Sequence, residues 1–127
     1  MFGKKEDPNR KAFRKEFEQV ARSIRQADET VQAAVGHAIN MANSMFYQTF
    51  SDVADFQRVS NQERIQYIHK LTHMEESLRD DKGDLPSSLG FGLFKMWVGA
   101  VSENDDELAE KFGAELAHFS QKGDLGG

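Results

Sequence analysis

The sequence predicts an all-α protein, a bundle of four to five helices, on three observations. Only two prolines occur in 127 residues, and Ala, Glu, Gln, Lys, Leu and Met are plentiful, a composition that favours helix. Apolar residues recur at helical spacing along most of the chain. Strand signals are missing, since no segment alternates cleanly over six residues and no Asn-Gly or Asp-Gly joins two β-branched runs.

The first helix is expected from Asp7-Pro8, where Asp7 caps free amide groups and Pro8 lacks a donor that would have gone unpaired. Phe13, Phe17, Val20, Ile24 and Ala27 follow on one face. The stripe continues in phase through Val31, Val35, Ala38, Ala42, Met45, Thr49, Val53 and Phe56. Residues 13–56 therefore form either one helix about 70 Å long or two in-phase helices. Compact domains rarely carry helices so long. Arg22 and Arg25 suit a helix end, and Asp28 and Glu29 a helix start, which favours a break near residues 26–29.

Ser60-Asn61-Gln62-Glu63 has capping-box spacing. It opens a helix with Ile65, Ile68, Leu71, Met74 and Leu78 on its apolar side, closing at Asp80-Asp81-Lys82-Gly83 with glycine for the left-handed cap. Residues 80–88 read as a loop, with Ser87 and Ser88 as caps for the next helix. Leu89–Val101 is apolar nearly all round, interrupted only by Lys95, which marks a central helix or one at a subunit contact. Asn104-Asp105-Asp106-Glu107 repeats the capping box before a helix carrying Leu108, Phe112, Leu116 and Phe119. By this reading residues 1–7 are a basic arm, 8–122 one helical-bundle domain, and 123–127 a flexible tail after Lys122-Gly123.

Cysteine is absent, which excludes disulfides, thiol catalysis and cysteine-containing zinc sites. The N-terminus shows no apolar leader segment, and the apolar run 89–101 is too short to span a bilayer, so a cytoplasmic setting is expected. The net charge of -5 is uneven: residues 1–26 carry +4 and the remainder -9. Arg10, Lys11, Arg14 and Lys15 offer phosphate contacts to a nucleic acid or an anionic surface. Interleaved Glu16 and Glu18, and an acidic chain as a whole, favour a solvated helix face instead.

Signatures of nucleotide-dependent, serine-hydrolase or zinc-peptidase chemistry are missing, and no enzyme activity or cofactor is expected. Gly90-Phe91-Gly92 lacks the strand and second half of a phosphate loop; its small residues suit close helix packing. His69, His73 and Glu76 lie along one stripe that offers two imidazoles and a carboxylate to a divalent ion, though opposite Leu71, Met74 and Leu78. Glu115 and His118 have the Glu-x-x-His spacing of di-iron carboxylate bundles, but the element occurs once where those sites need it twice. His37 reads as an edge histidine. A metal- or small-ligand-binding bundle is therefore the alternative function.

The leading expectation comes from ten phenylalanines, five methionines and one tryptophan. Met41, Met45, Phe46, Tyr47 and Phe50 widen one stripe, and Phe91, Phe94 and Trp97 another, beyond a single neighbour's reach. Excess apolar surface at helical spacing is core or interface. These eight residues are the expected contact surface of a regulatory or adaptor module that binds another protein or itself, most simply as a homodimer.

Overall fold

A computed structural model describes the backbone of residues 6–126 and the side chains of residues 6–124. Six helices follow one another: α1 (Pro8–Arg25), α2 (Glu29–Thr49), α3 (Val53–Arg58), α4 (Asn61–Glu76), α5 (Leu85–Ser102) and α6 (Asp106–Gly126). A π-helical turn, Ser77–Asp81, prolongs α4. The all-α bundle is therefore what the chain forms, with no strand among the described residues.

Each helix start has an identifiable cause in the sequence. Asp7 accepts hydrogen bonds from the amides of Asn9 and Arg10, and Pro8 takes the first helical position. Ser60 accepts from the Glu63 amide at 3.2 Å. The long apolar stripe breaks at residues 26–28, where Asp28 Oδ1 accepts from the Val31 amide at 3.0 Å. It breaks a second time, unanticipated, at residues 50–52. There Phe50 turns extended, and Asp52 caps α3 by accepting from the Asp55 amide at 2.8 Å. Val53 and Phe56 stay in helical phase across this break, so periodicity alone hid it.

Three further boundaries differ from expectation. Asp84, not Ser87 or Ser88, caps α5, accepting from the Ser87 amide at 3.2 Å. Ser88 is buried, and its hydroxyl donates to the Glu75 carbonyl at 2.8 Å. The cap of α6 is Asp105, which accepts from the Leu108 amide at 3.2 Å, one residue later than the box starting at Asn104; Asn104 itself adopts φ +57°. Finally, α6 does not close at Lys122-Gly123. It runs to Gly126, and Gly123 is buried against Gly36 of α2. Gly123 is there for contact between helices, not for termination.

That contact sets the geometry of the bundle. A Cβ on Gly123 would lie 2.5 Å from the His37 nitrogen, and one on Gly36 would lie 2.6 Å from the Gly123 nitrogen. Backbone therefore rests on backbone where α2 and α6 cross. On the other side of α2, Gly90 of α5 approaches the same way, with its missing Cβ 2.7 Å from the Val35 carbonyl oxygen. α5 is the central helix: it packs against all five others and buries Phe91, Leu93, Phe94, Val98, Ala100 and Val101. Its one charge, Lys95, reaches Glu75 of α4 at 2.6 Å.

Candidate interaction surface

Most of the apolar surplus is core. Phe46 is fully buried and Phe91 and Phe94 are 1% exposed, so none of the three can meet a partner in this fold. Met45, Phe50 and Trp97 are half-buried against the core. Of the eight residues expected at an interface, only Met41 and Tyr47 are well exposed. The sequence overcounted because the break at residues 50–52 folds α3 back. Phe56 then reaches Phe46 at 5.4 Å, and Tyr67 of α4 completes the cluster at 5.9 Å.

Tyr67 brings a cost into that cluster. Its hydroxyl is buried without a hydrogen-bond partner, and burial pushes its pKa up to about 12. A buried hydroxyl without a partner opposes folding by roughly 1–3 kcal/mol, and removing it without changing shape relieves that penalty. Tyr67→Phe is therefore expected to leave stability unchanged or raise it by about 1 kcal/mol, read by urea denaturation. A loss of stability would mean the hydroxyl is satisfied.

The metal candidates do not converge. His69, His73 and Glu76 are exposed on α4. Glu115 is engaged by Arg25 at 2.6 Å, and His118 is exposed beside the Phe119 ring. Among the described residues no three His, Asp or Glu side chains gather into a set that could hold a metal ion. No helix among them is long and apolar enough to cross a membrane.

Of the basic stretch, Arg10 and Arg14 are engaged internally, while Lys11 and Lys15 stay exposed. Lys4 and Lys5 lie outside the described residues. Arg10 binds Asp105 at 2.7 Å, Glu107 at 3.0 Å and Glu6 at 2.5 Å. Arg14 bridges Glu6 at 2.8 Å and Glu18 at 3.0 Å, and Glu18 meets Lys111 of α6 at 2.8 Å. Arg10, Arg14 and Glu18 thus belong to a ladder that ties α1 to α6. Hydrogen bonds from Arg10, Arg14 and Lys111 hold the carboxyls of Asp105, Glu6 and Glu18 below their ordinary range.

A carboxyl depressed in the fold stabilises it above its unfolded pKa, and that contribution is lost as pH falls through the folded value. Stability is accordingly expected to decline once pH drops below the ordinary carboxyl values of 3.8 and 4.5. In Arg10→Gln the decline should be shallower. Chemical denaturation across pH 2–6 would show it; parallel curves for the two proteins would refute the ladder's role. Near neutrality these half-exposed pairs add little individually.

Among several clefts of comparable volume, one of about 600 Å³ lies between α1, α4 and α5, with Leu108 of α6 in its lining. Phe13 forms the α1 wall, Ile65 and Ile68 the α4 wall, Gly99 and Ala100 the floor, and Leu108 the end. Ile65 is 45% exposed, one of four large apolar side chains so open among the described residues. The floor is low because position 99 has no side chain: a Cβ there would meet only the Phe13 ring, at 3.6 Å. Asn9, Asn61 and Glu103 supply a polar rim, with Arg10 held beside it by its carboxylates.

Sequence reading missed this cleft by assigning Ile65 to the buried stripe of α4. Tyr67 and Leu71 are buried, and Ile68, Met74 and Leu78 pack partly buried against the core. Counting Tyr67 as apolar would have placed Ile65, roughly 160° away at 100° per residue, on the outer side. Comparison with family models, characterised proteins and solved structures returns no match to this chain.

Proposed function

We propose that this chain is a non-enzymatic interaction module whose contact surface is the cleft between α1, α4 and α5, taking an apolar segment of a partner polypeptide. The observation that carries the reading is the coincidence of a largely apolar concavity with an exposed isoleucine on its wall. A bundle groove walled by Phe, Ile and Leu and rimmed by amides and carboxylates suits an amphipathic segment, whose apolar face enters while its polar face meets the rim. The expected mechanism is the burial of Ile65, Ile68 and Phe13 against that segment. Tyr47 and Met41, the exposed members of the aromatic-rich stripe, lie outside the cleft.

Replacing Ile65 by a photoreactive phenylalanine analogue in the source cells tests this. Irradiation is expected to give one discrete adduct to a polypeptide, weakened at least about tenfold by Phe13→Glu. The same probe at the exposed Leu85 should give none. Identical products from both positions, or no product at Ile65, would overturn the proposal.

A further inference from the structure

We infer that α1 is an exchangeable element: straightening residues 26–28 joins α1 and α2 into one helix and places α1 in the corresponding groove of a second copy. The inference goes beyond the cleft reading and does not require it. Three observations carry it.

The hinge is short and has neither glycine nor proline. Gln26 is already helical, and Asp28 is extended, at φ -69° and ψ 168°. Rotation about the Asp28 backbone therefore supplies much of the change. In addition, the apolar stripes of α1 and α2 are in phase across the hinge, so a continuous helix keeps a single apolar face.

Hydrogen bonding at the hinge is arranged to survive the change. In a continuous helix the Val31 amide would bond the Ala27 carbonyl, and the Glu29 amide the Arg25 carbonyl. In the folded-back form, side chains substitute for these partners. Asp28 Oδ1 accepts from the Val31 amide at 3.0 Å, while Gln32 Nε2 donates to the Ala27 carbonyl at 2.9 Å and to the Arg25 carbonyl at 3.2 Å. Straightening releases both side chains and leaves none of those three backbone groups unpaired.

α1 is docked through side chains that a second copy can offer identically. Phe17 stacks on Phe112 at 3.8 Å between centroids, and Arg10, Glu18 and Arg25 reach Asp105, Lys111 and Glu115. Clefts of about 600 and 380 Å³ border its N-terminal and C-terminal halves. Exchange between identical copies preserves every such contact and changes only the hinge.

The absence of cysteine makes a decisive test available. Glu18→Cys and Lys111→Cys, each alone in a chain, are mixed, refolded together at high concentration and treated with a short bismaleimide. Exchange predicts a covalent chain pair linked 18 to 111, its yield rising with protein concentration. Asp28→Ala with Gln32→Ala removes the caps of the folded-back form, and should give the same yield at a concentration about tenfold lower. Ala27→Gly, which disfavours a continuous helix, should suppress it. A single chain carrying both cysteines serves as the folding control, since it cross-links internally whenever α1 docks. No interchain product in the Asp28→Ala/Gln32→Ala background, with the control intact, would overturn the inference. A specific adduct at Ile65 without the interchain product would end exchange and leave the cleft reading standing; the interchain product without that adduct would do the reverse.

Discussion

Gly36→Ala is expected to lower the unfolding free energy by roughly 3 kcal/mol and the melting temperature by about 10 °C. The added methyl would sit 2.6 Å from the Gly123 nitrogen and 3.0 Å from its Cα, and would also meet the Phe119 carbonyl. All three obstacles are backbone, so no rotamer change relieves them; α6 must move away from α2 as a unit. That movement would loosen Phe119 and Leu116, which α6 contributes to the core. Gly123→Ala should cost a similar amount from the other side of the same contact. Gly92→Ala is the internal comparison. Its methyl would meet only the Glu75 carboxylate, at 2.6 Å, and that side chain can swing aside, so the loss should stay within about 1 kcal/mol. Thermal denaturation of the three variants measures the ranking. Equal losses at positions 36 and 92 would mean that the crossing of α2 and α6 is not the tight contact described.

Phe46→Ala is expected to cost about 3–5 kcal/mol, the range for removing a fully buried phenylalanine. The side chain is 0% exposed and lies at the centre of the aromatic cluster. Phe50, Phe56, Tyr67, Phe94 and Trp97 surround it at centroid distances between 5.2 and 6.1 Å. These rings come from α3, α4, α5 and the end of α2, so the cavity would weaken four elements together. The near-ultraviolet circular dichroism should flatten as Trp97 and Tyr67 lose fixed surroundings. Tyr47→Ala, at a side chain 45% exposed on the next residue, should change stability by less than about 1 kcal/mol. Comparable losses at positions 46 and 47 would contradict the assignment of Phe46 to the core.

These contrasts show which parts of the fold were legible in the sequence. Asp7-Pro8, Asp28 and Ser60 announce helix starts because capping is local chemistry, readable from three or four residues. The all-round apolarity of 89–101 announces the central helix for a similar reason. Asp52 and Asp84 are equally good caps, but one interrupts a stripe that stays in phase and the other precedes serines that compete for the role. Gly123 looked like a stop signal. Only the presence of Gly36 across the bundle shows it to be a packing residue, and no local pattern records a contact 87 residues away in the chain.

The surface was less legible than the core, for a physical reason. A wide apolar stripe states how much area must be buried and is silent on what buries it. Phe46 was satisfied by α3 and α4 folding over it, whereas Ile65, grouped with the buried face, was left on the cleft wall. The basic N-terminal stretch behaved alike. Its charge was visible, but Asp105 and Glu107, the partners of Arg10, lie about a hundred residues away, and only the fold shows the stretch tied to α6.

Native mass spectrometry of the wild-type chain and of Ile65→Asp, both recovered gently from source cells, tests the central claim most directly. Ile65 is exposed, so the variant should fold, as circular dichroism would verify. The expected result is that the wild-type chain carries a polypeptide other than a copy of itself and that Ile65→Asp does not. A complex unaffected by Ile65→Asp, or a single chain bearing a stoichiometric metal or small molecule in both preparations, would contradict it.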